Sequence, residues 1–167
     1  MNSIELLYEK APQEVIIDSF RGEYRFLSNF EVETPLDYKI MLDGEPYKNV
    51  EAAYQAAKTY NTDERKLIQN ALTPAKAKKL GQEVTLRKDW ENIKLQVMYD
   101  CLIQKFSYPY FKKLLIATHP KILVEGNTWN DTFFGVGKNN LGKNNLGKLL
   151  MIIREKFINE NNNLPTV

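Results

Sequence analysis

The sequence of 167 residues holds one histidine, His119, and one cysteine, Cys101. A single cysteine forms no intrachain disulfide, which fits a reducing compartment. One histidine and one cysteine also fall short of the ligand set of a zinc site, so no metal is expected. No stretch approaches the roughly 18 apolar residues of a membrane span. Charges break every apolar run of residues 1–17, which does not read as a signal peptide. The expectation is a cytoplasmic protein without membrane contact. The glycines follow no phosphate-cradling order: G-x-x-x-x-G-K-[ST] is missing, no G-x-G-x-x-G follows a strand, and "GVGKNNLG" from Gly135 is wrongly spaced. No serine sits in a nucleophile elbow. A net charge of +2 gives neither the broad positive face of a nucleic-acid coat nor an acidic tail. The basic residues of "TPAKAKKLGQEVTLRK" (73–88) leave a local patch open, although a solvated helix face explains them as well.

What is present is a globular composition, 43% hydrophobic and 26% charged, of a length that suggests one domain. "EVIIDSF" (14–20) and "YRFLSNF" (24–30) are β-branched and aromatic, and "YKIMLDGEPY" (38–47) reads as a hairpin turning at Asp43-Gly44. Helical spacing follows over about 49–60, 63–71, 74–80, 89–106, 109–117 and 145–160. Thr73 caps Pro74 at a first helical position, Gly81 stops that helix, and Asp89 can cap the next. Trp90, Ile93, Val97, Cys101 and Leu102 form its apolar stripe, with Lys94 and Lys105 elsewhere. Leu146, Leu149, Leu150, Ile153 and Phe157 form the stripe of the last helix, before a polar tail expected to fray. "KNNLG" (138–142) repeats at once as 143–147 and reads as a flexible loop. The fold class is therefore α+β, with a small antiparallel sheet from the N-terminal strands packed with several helices.

Carboxylates and aromatics carry whatever chemistry remains. In "YKNVEAAYQAAKTY", Glu51, Tyr54 and Lys58 stand at i, i+3 and i+7, on one helix face among Ala52, Ala53, Ala56 and Ala57. That stripe reads either as a solvated face or as the floor of a site. "EGNTWNDTFFGVG" (125–137) gathers Asn127, Trp129, Asn130, Asp131, Phe133, Phe134 and Gly135 without periodicity, as a core-filling loop or as a pocket wall that stacks a planar ligand. "FRGEYRFLSNF" (20–30) offers Arg21 and Arg25 to a phosphate and Asn29 to a hydroxyl, or is a twisted hairpin with exposed arginines. Trp90 reads as core or as a ligand platform. His119, in "ATHPK", reads as a surface turn.

Taken together and in this order, "FLSNF", "VEAAYQAAK", "KDWENIKLQVMYDCLIQKF" and "GNTWNDTFFGVG…NNLGKLLMIIREK" resemble the YbiA-like family, also called NADAR. The resemblance spans about residues 20–157. It implies a compact α+β fold and an N-glycosidase that cleaves ribose–base bonds. Substrate classes across the family include phosphorylated ribosylamino-pyrimidine intermediates of riboflavin synthesis and ADP-ribosyl groups on guanine. Glu51, Tyr54 and Lys58 fall on the family's glutamate, aromatic and lysine, Trp90 on the tryptophan opening the long helix, and Asp131 on the aspartate before an aromatic-glycine pair. Ser28, Asn29 and Phe30 match its "SNF". Phe134, before Gly135, departs from the family's usual tryptophan and lacks the indole N–H. The doubled "KNNLG" departs as well.

The resemblance implies a mechanism without cofactor. Breaking a ribose–nitrogen bond builds positive charge on the sugar, and carboxylates stabilise it and activate water. Glu51 would be the general base or the ion facing the oxocarbenium, and Asp131 would grip ribose hydroxyls or share the acid–base role. Lys58 would keep Glu51 ionised or meet a phosphate. Trp90, Trp129 and Phe134 would sandwich the base, with Arg21 and Arg25 near phosphate, and Gly22, Tyr54, Asn130 and Gly135 would also bind substrate. The rival is a module that binds ADP-ribose or a nucleotide without cleaving it. A third class acts on modified nucleic acid, where base flipping and salt-sensitive binding follow. The sequence leaves oligomeric state open.

Overall fold

The structure, a computed structural model, describes residues 15–162. Glu14 of the first expected strand, the expected absence of a signal peptide and the last residues of the polar tail lie outside the described residues. Two compact units form, one contiguous over residues 28–110 and one that joins the chain up to Leu27 to the chain from Phe111. The fold is a mostly helical α+β arrangement with small sheets.

The contiguous unit opens with a hairpin, β2 (Ile40–Leu42) against β3 (Glu45–Tyr47), antiparallel with Ile40 opposite Tyr47. Asp43 and Gly44 both have positive φ, +50° and +84°. A two-residue type I′ turn needs that at both central positions. Four helices follow: α1 (Val50–Ala56), α2 (Thr62–Gln69), α3 (Pro74–Gly81) and α4 (Trp90–Ser107). Asn49 caps α1 by accepting from the Ala52 N–H at 2.8 Å, and Thr73 caps α3 by accepting from the Lys76 N–H at 3.1 Å. Ile40, Val50, Ala53, Ala56, Ile68, Met98, Leu102 and Phe106 form a dry core. Burying each large member contributes about 1.5–3 kcal/mol.

The alanines of α1 serve close packing. Gly81 of α3 lies so near that a Cβ there would stand 2.7 Å from the Gln55 Cβ and 2.1 Å from its Oε1. Gly81 is thus the last residue of α3, with Gln82 as the cap, and it is a glycine because another helix crosses it.

The other unit pairs β1 (Ile16–Ile17) in parallel with β4 (Ile122–Leu123). It also contains a 3₁₀ helix (Gly22–Leu27), most of α5 (Pro109–Ala117) and α6 (Asn145–Asn162). Ile17, Phe20, Phe111, Leu115, Leu123, Leu146, Leu150, Ile153 and Phe157 are buried. Among the described residues, no helix is long and apolar enough to cross a membrane.

Several expectations are corrected here. Residues 24–30 are not a strand: Phe26 and Leu27 are both buried, and two consecutive inward residues fit a 3₁₀ turn rather than a pleat of period two. β1 is two residues long and joins β4 rather than the hairpin. Asp89 stands at the cap position of α4 but makes no capping bond, because Arg87 occupies its carboxylate at 2.7 and 2.8 Å. The second "KNNLG" copy is anchored. Asn144 is buried with φ +51°, donates to the Leu123 carbonyl and accepts from the Glu125 N–H, each at 2.9 Å. Helix α6 then begins inside the copy and continues through Asn162, well into the tail expected to fray.

Candidate active site

Glu51 enters the site from the first turn of α1. Only 5% of it is exposed, and its Oε1 accepts from Gln55 Nε2 at 2.7 Å, one helical turn on. Its backbone N–H is held by the Asn29 carbonyl at 3.3 Å, which ties α1 to the Ser28–Phe30 turn. That turn is shaped locally: the Ser28 hydroxyl accepts from the Phe30 N–H at 3.1 Å, and Asn29 Nδ2 reaches Met98 Sδ at 3.5 Å.

Tyr54 and Trp90 pack with ring centroids 5.0 Å apart and planes tilted by 60°. Both are buried, so Trp90 belongs to the core and adjoins the stripe at the same time. Lys58 lies past the end of α1, where the chain tightens into i→i+3 bonds. Its ammonium sits 5.8 Å from the Tyr54 ring centroid and donates to the Gly81 carbonyl at 3.4 Å. Burial lowers its proton affinity, the Glu51 charge raises it, and Lys78 lowers it again. The stripe of Glu51, Tyr54 and Lys58 is therefore an inward face and not a solvated one.

Two residues of this region carry no functional mark in the sequence, Gln55 and Lys105. Gln55 stands four residues after Glu51, on the same face, and that spacing was the available signal. Lys105, set off the apolar stripe by the sequence reading, is fully buried, with its Nζ donating to the Ser28 carbonyl at 2.7 Å. Burial pushes its ammonium down to about 7, and the Glu31 charge opposes that. Its place four residues after Cys101 and three after Leu102 puts it on the buried stripe.

The remaining candidates belong to the other unit. Asp131 acts within its own loop: one carboxylate oxygen accepts from the N–H groups of Phe133 at 3.0 Å and Phe134 at 2.9 Å. Asn127 braces it, accepting from the Asp131 N–H and donating to its carbonyl. Phe133 and Phe134 meet edge to face at 4.9 Å. Trp129 and Asn130 are exposed, Asn130 with φ +63°. Gly135 is buried where a Cβ would lie 2.2 Å from Asn127 Nδ2, so it is a packing glycine. Gly22 and Arg25 are exposed on the 3₁₀ helix, and Arg21 is exposed just before it. His119 is half-exposed in a turn, 3.9 Å from Glu155.

The contiguous unit also has an open cleft of about 460 Å³, lined by Thr59, Tyr60, Asn61 and residues 85–89. No candidate residue lines it, although Lys58 and Trp90 adjoin it in the chain.

A buried carboxylate, a tilted pair of rings and an ammonium thus stand on a helical α+β scaffold. Residues 18–158 match the NADAR domain model, and the chain belongs to that family. It is 37% identical over 149 residues to the N-glycosidase YbiA of Escherichia coli, across 86% of this chain and 89% of that one. An NMR structure of the E. coli protein YbiA superimposes with a TM-score of 0.77 at 34% identity, covering 93% and 92% of the two chains. The chain is also 37% identical over 112 residues to the chloroplastic riboflavin biosynthesis protein PYRR of Arabidopsis thaliana, a match spanning 63% of this chain and 18% of that protein.

Proposed function

We infer that this chain is a hydrolase of N-glycosyl bonds, the activity for which its YbiA relative is named. We propose that its substrate is a phosphorylated ribosyl or ADP-ribosyl compound. Candidates are a ribosylamino-pyrimidine phosphate of the riboflavin route, toward which the likeness to PYRR points, and ADP-ribosylated guanine. Water adds to the sugar C1′, the C1′–N bond breaks with its electrons going to the base, and the proton from water accompanies the leaving nitrogen.

One observation carries this reading: the Glu51 carboxylate, buried and oriented by Gln55, next to the Tyr54–Trp90 pair. In a partly dry site a fixed carboxylate faces a developing sugar cation more strongly than it would in water. Glu51 takes the proton from water or stabilises that cation. Asp131 is assigned to the ribose hydroxyls, as the resemblance implies.

The test incubates the protein and its Glu51→Gln variant with both substrates and follows free base and free sugar by mass spectrometry. The glutamine keeps the shape and can still meet Gln55. Loss of about 10²–10⁴-fold in turnover is expected in a folded variant. Undiminished turnover in that variant removes Glu51 from the mechanism. Heat protection of the wild type by intact substrate, with no release, identifies a binding module instead.

A further inference from the structure

Lys78, on α3, lies outside the residues so far given a role. Residues three apart share a helix face, so Lys78 lies on the same side of α3 as Gly81. The Gly81 carbonyl receives the Lys58 ammonium. The Lys78 ammonium stands 5.8 Å from the centroid of Phe30, the last residue of the turn that anchors the Glu51 N–H. Two ammonium groups thus face two rings, Lys58 over Tyr54 and Lys78 over Phe30, around the segment that holds Glu51. They are close enough for the Lys78 charge to depress the Lys58 proton affinity.

Like charges held together cost free energy, and the Glu51 charge opposes that cost at Lys58. An anion of higher charge density offsets what remains of the repulsion. Lysine meets phosphate as a compact point charge with rotatable donors, and Lys78 is half-exposed, so it can turn toward a ligand without unfolding anything. The ring faces beside it keep the surroundings apolar, which strengthens each ionic interaction made there.

We propose that Lys78, together with Lys58, forms an anion subsite that holds a phosphoryl group of the substrate beside Glu51. This rests on the N-glycosidase reading and deepens it, because it makes phosphorylation the feature that the site selects. Both candidate substrates carry the required chemistry, one as a phosphomonoester and the other as a diphosphate.

The experiment compares wild type, Lys78→Met and Lys78→Arg. The first measurement is kcat/KM for the ribosylamino-pyrimidine phosphate divided by kcat/KM for its dephosphorylated nucleoside. Removing one charge-assisted hydrogen bond to the phosphate lowers that ratio about tenfold or more. Lys78→Met should show the fall and Lys78→Arg should recover part of it. The same comparison with ADP-ribosylated guanosine separates monophosphate from diphosphate recognition. An unchanged ratio in Lys78→Met with both substrates overturns the proposal. So does a fall that appears only when Arg21 and Arg25 are replaced.

The second measurement needs no turnover. Inorganic pyrophosphate should raise the melting temperature of the wild type and of Glu51→Gln, and do so less in Lys78→Met. Equal shifts in all three overturn the subsite. A normal pyrophosphate response in a protein that cleaves nothing leaves the subsite standing and sinks the N-glycosidase reading alone.

Discussion

Replacing Lys105 by methionine tests whether this lysine is as dry as its surroundings indicate. Its proton affinity falls from the ordinary 10.5 to about 7, with burial the main cause and the Glu31 charge acting against it. Below about pH 7 both the folded and the unfolded chain hold the proton, and Lys105 adds no slope to stability. Between about 7 and 10.5 the unfolded chain keeps the proton and the folded chain has released it. Stability therefore rises with pH in that window, by up to about 1.4 kcal/mol per unit. From about pH 7 to about pH 9 the gain is about 2 kcal/mol. Methionine has a similar reach and no proton, so the gain disappears in Lys105→Met. The variant also leaves the Ser28 carbonyl without this donor, an offset of about 1–3 kcal/mol that does not depend on pH. Cys101, whose thiol burial pushes up to about 12, titrates above this range in the folded state of both proteins. Urea unfolding followed by far-UV circular dichroism from about pH 6 to pH 9, with a shared m-value, gives the two curves. Their difference should change by about 2 kcal/mol across the upper half of that range. Parallel curves would refute the desolvation argument.

Other consequences are more local. Gly81→Ala forces a methyl group into Gln55 and should cost about 1–3 kcal/mol by urea titration. Adding Gln55→Ala should recover part of that cost, and strict additivity would contradict the crossing of α1 and α3. Asp131→Asn keeps an oxygen for the Phe133 and Phe134 N–H groups, so its melting temperature should stay near that of the wild type while that of Asp131→Ala falls. If Asp131 also serves the ribose, both variants lose turnover, and full activity in Asp131→Asn would confine the residue to its loop.

The parts of the fold that were legible in the sequence depend on local chemistry. Asp43-Gly44 makes its turn because both residues tolerate positive φ, and Thr73-Pro74 opens α3 because each suits its own position there. The Glu51, Tyr54 and Lys58 stripe was visible as spacing, but its burial was not, since spacing does not say which face meets another helix. Lys105 was set off the apolar stripe because it is charged, while its register, three residues after Leu102 and four after Cys101, pointed inward. Asp89 was misread as a cap because Arg87, two residues away, competes for the same carboxylate. The "KNNLG" copy looked slack by composition, yet Asn144 uses both ends of its amide to tie the loop down. The pairing of β1 with β4 has no local signal at all, because it depends on residues distant in the chain.

That pairing bears on the order in which the protein is made. Every partner within residues 28–110 is available once Tyr110 has been synthesised, and those contacts close over modest loops. Ile16 and Ile17, made earlier, find Ile122 and Leu123 only after the whole intervening segment has emerged. Closing so long a loop is slow relative to local pairing. On the ribosome the contiguous unit can therefore assemble first, while Ile16 and Ile17 wait for Ile122 and Leu123.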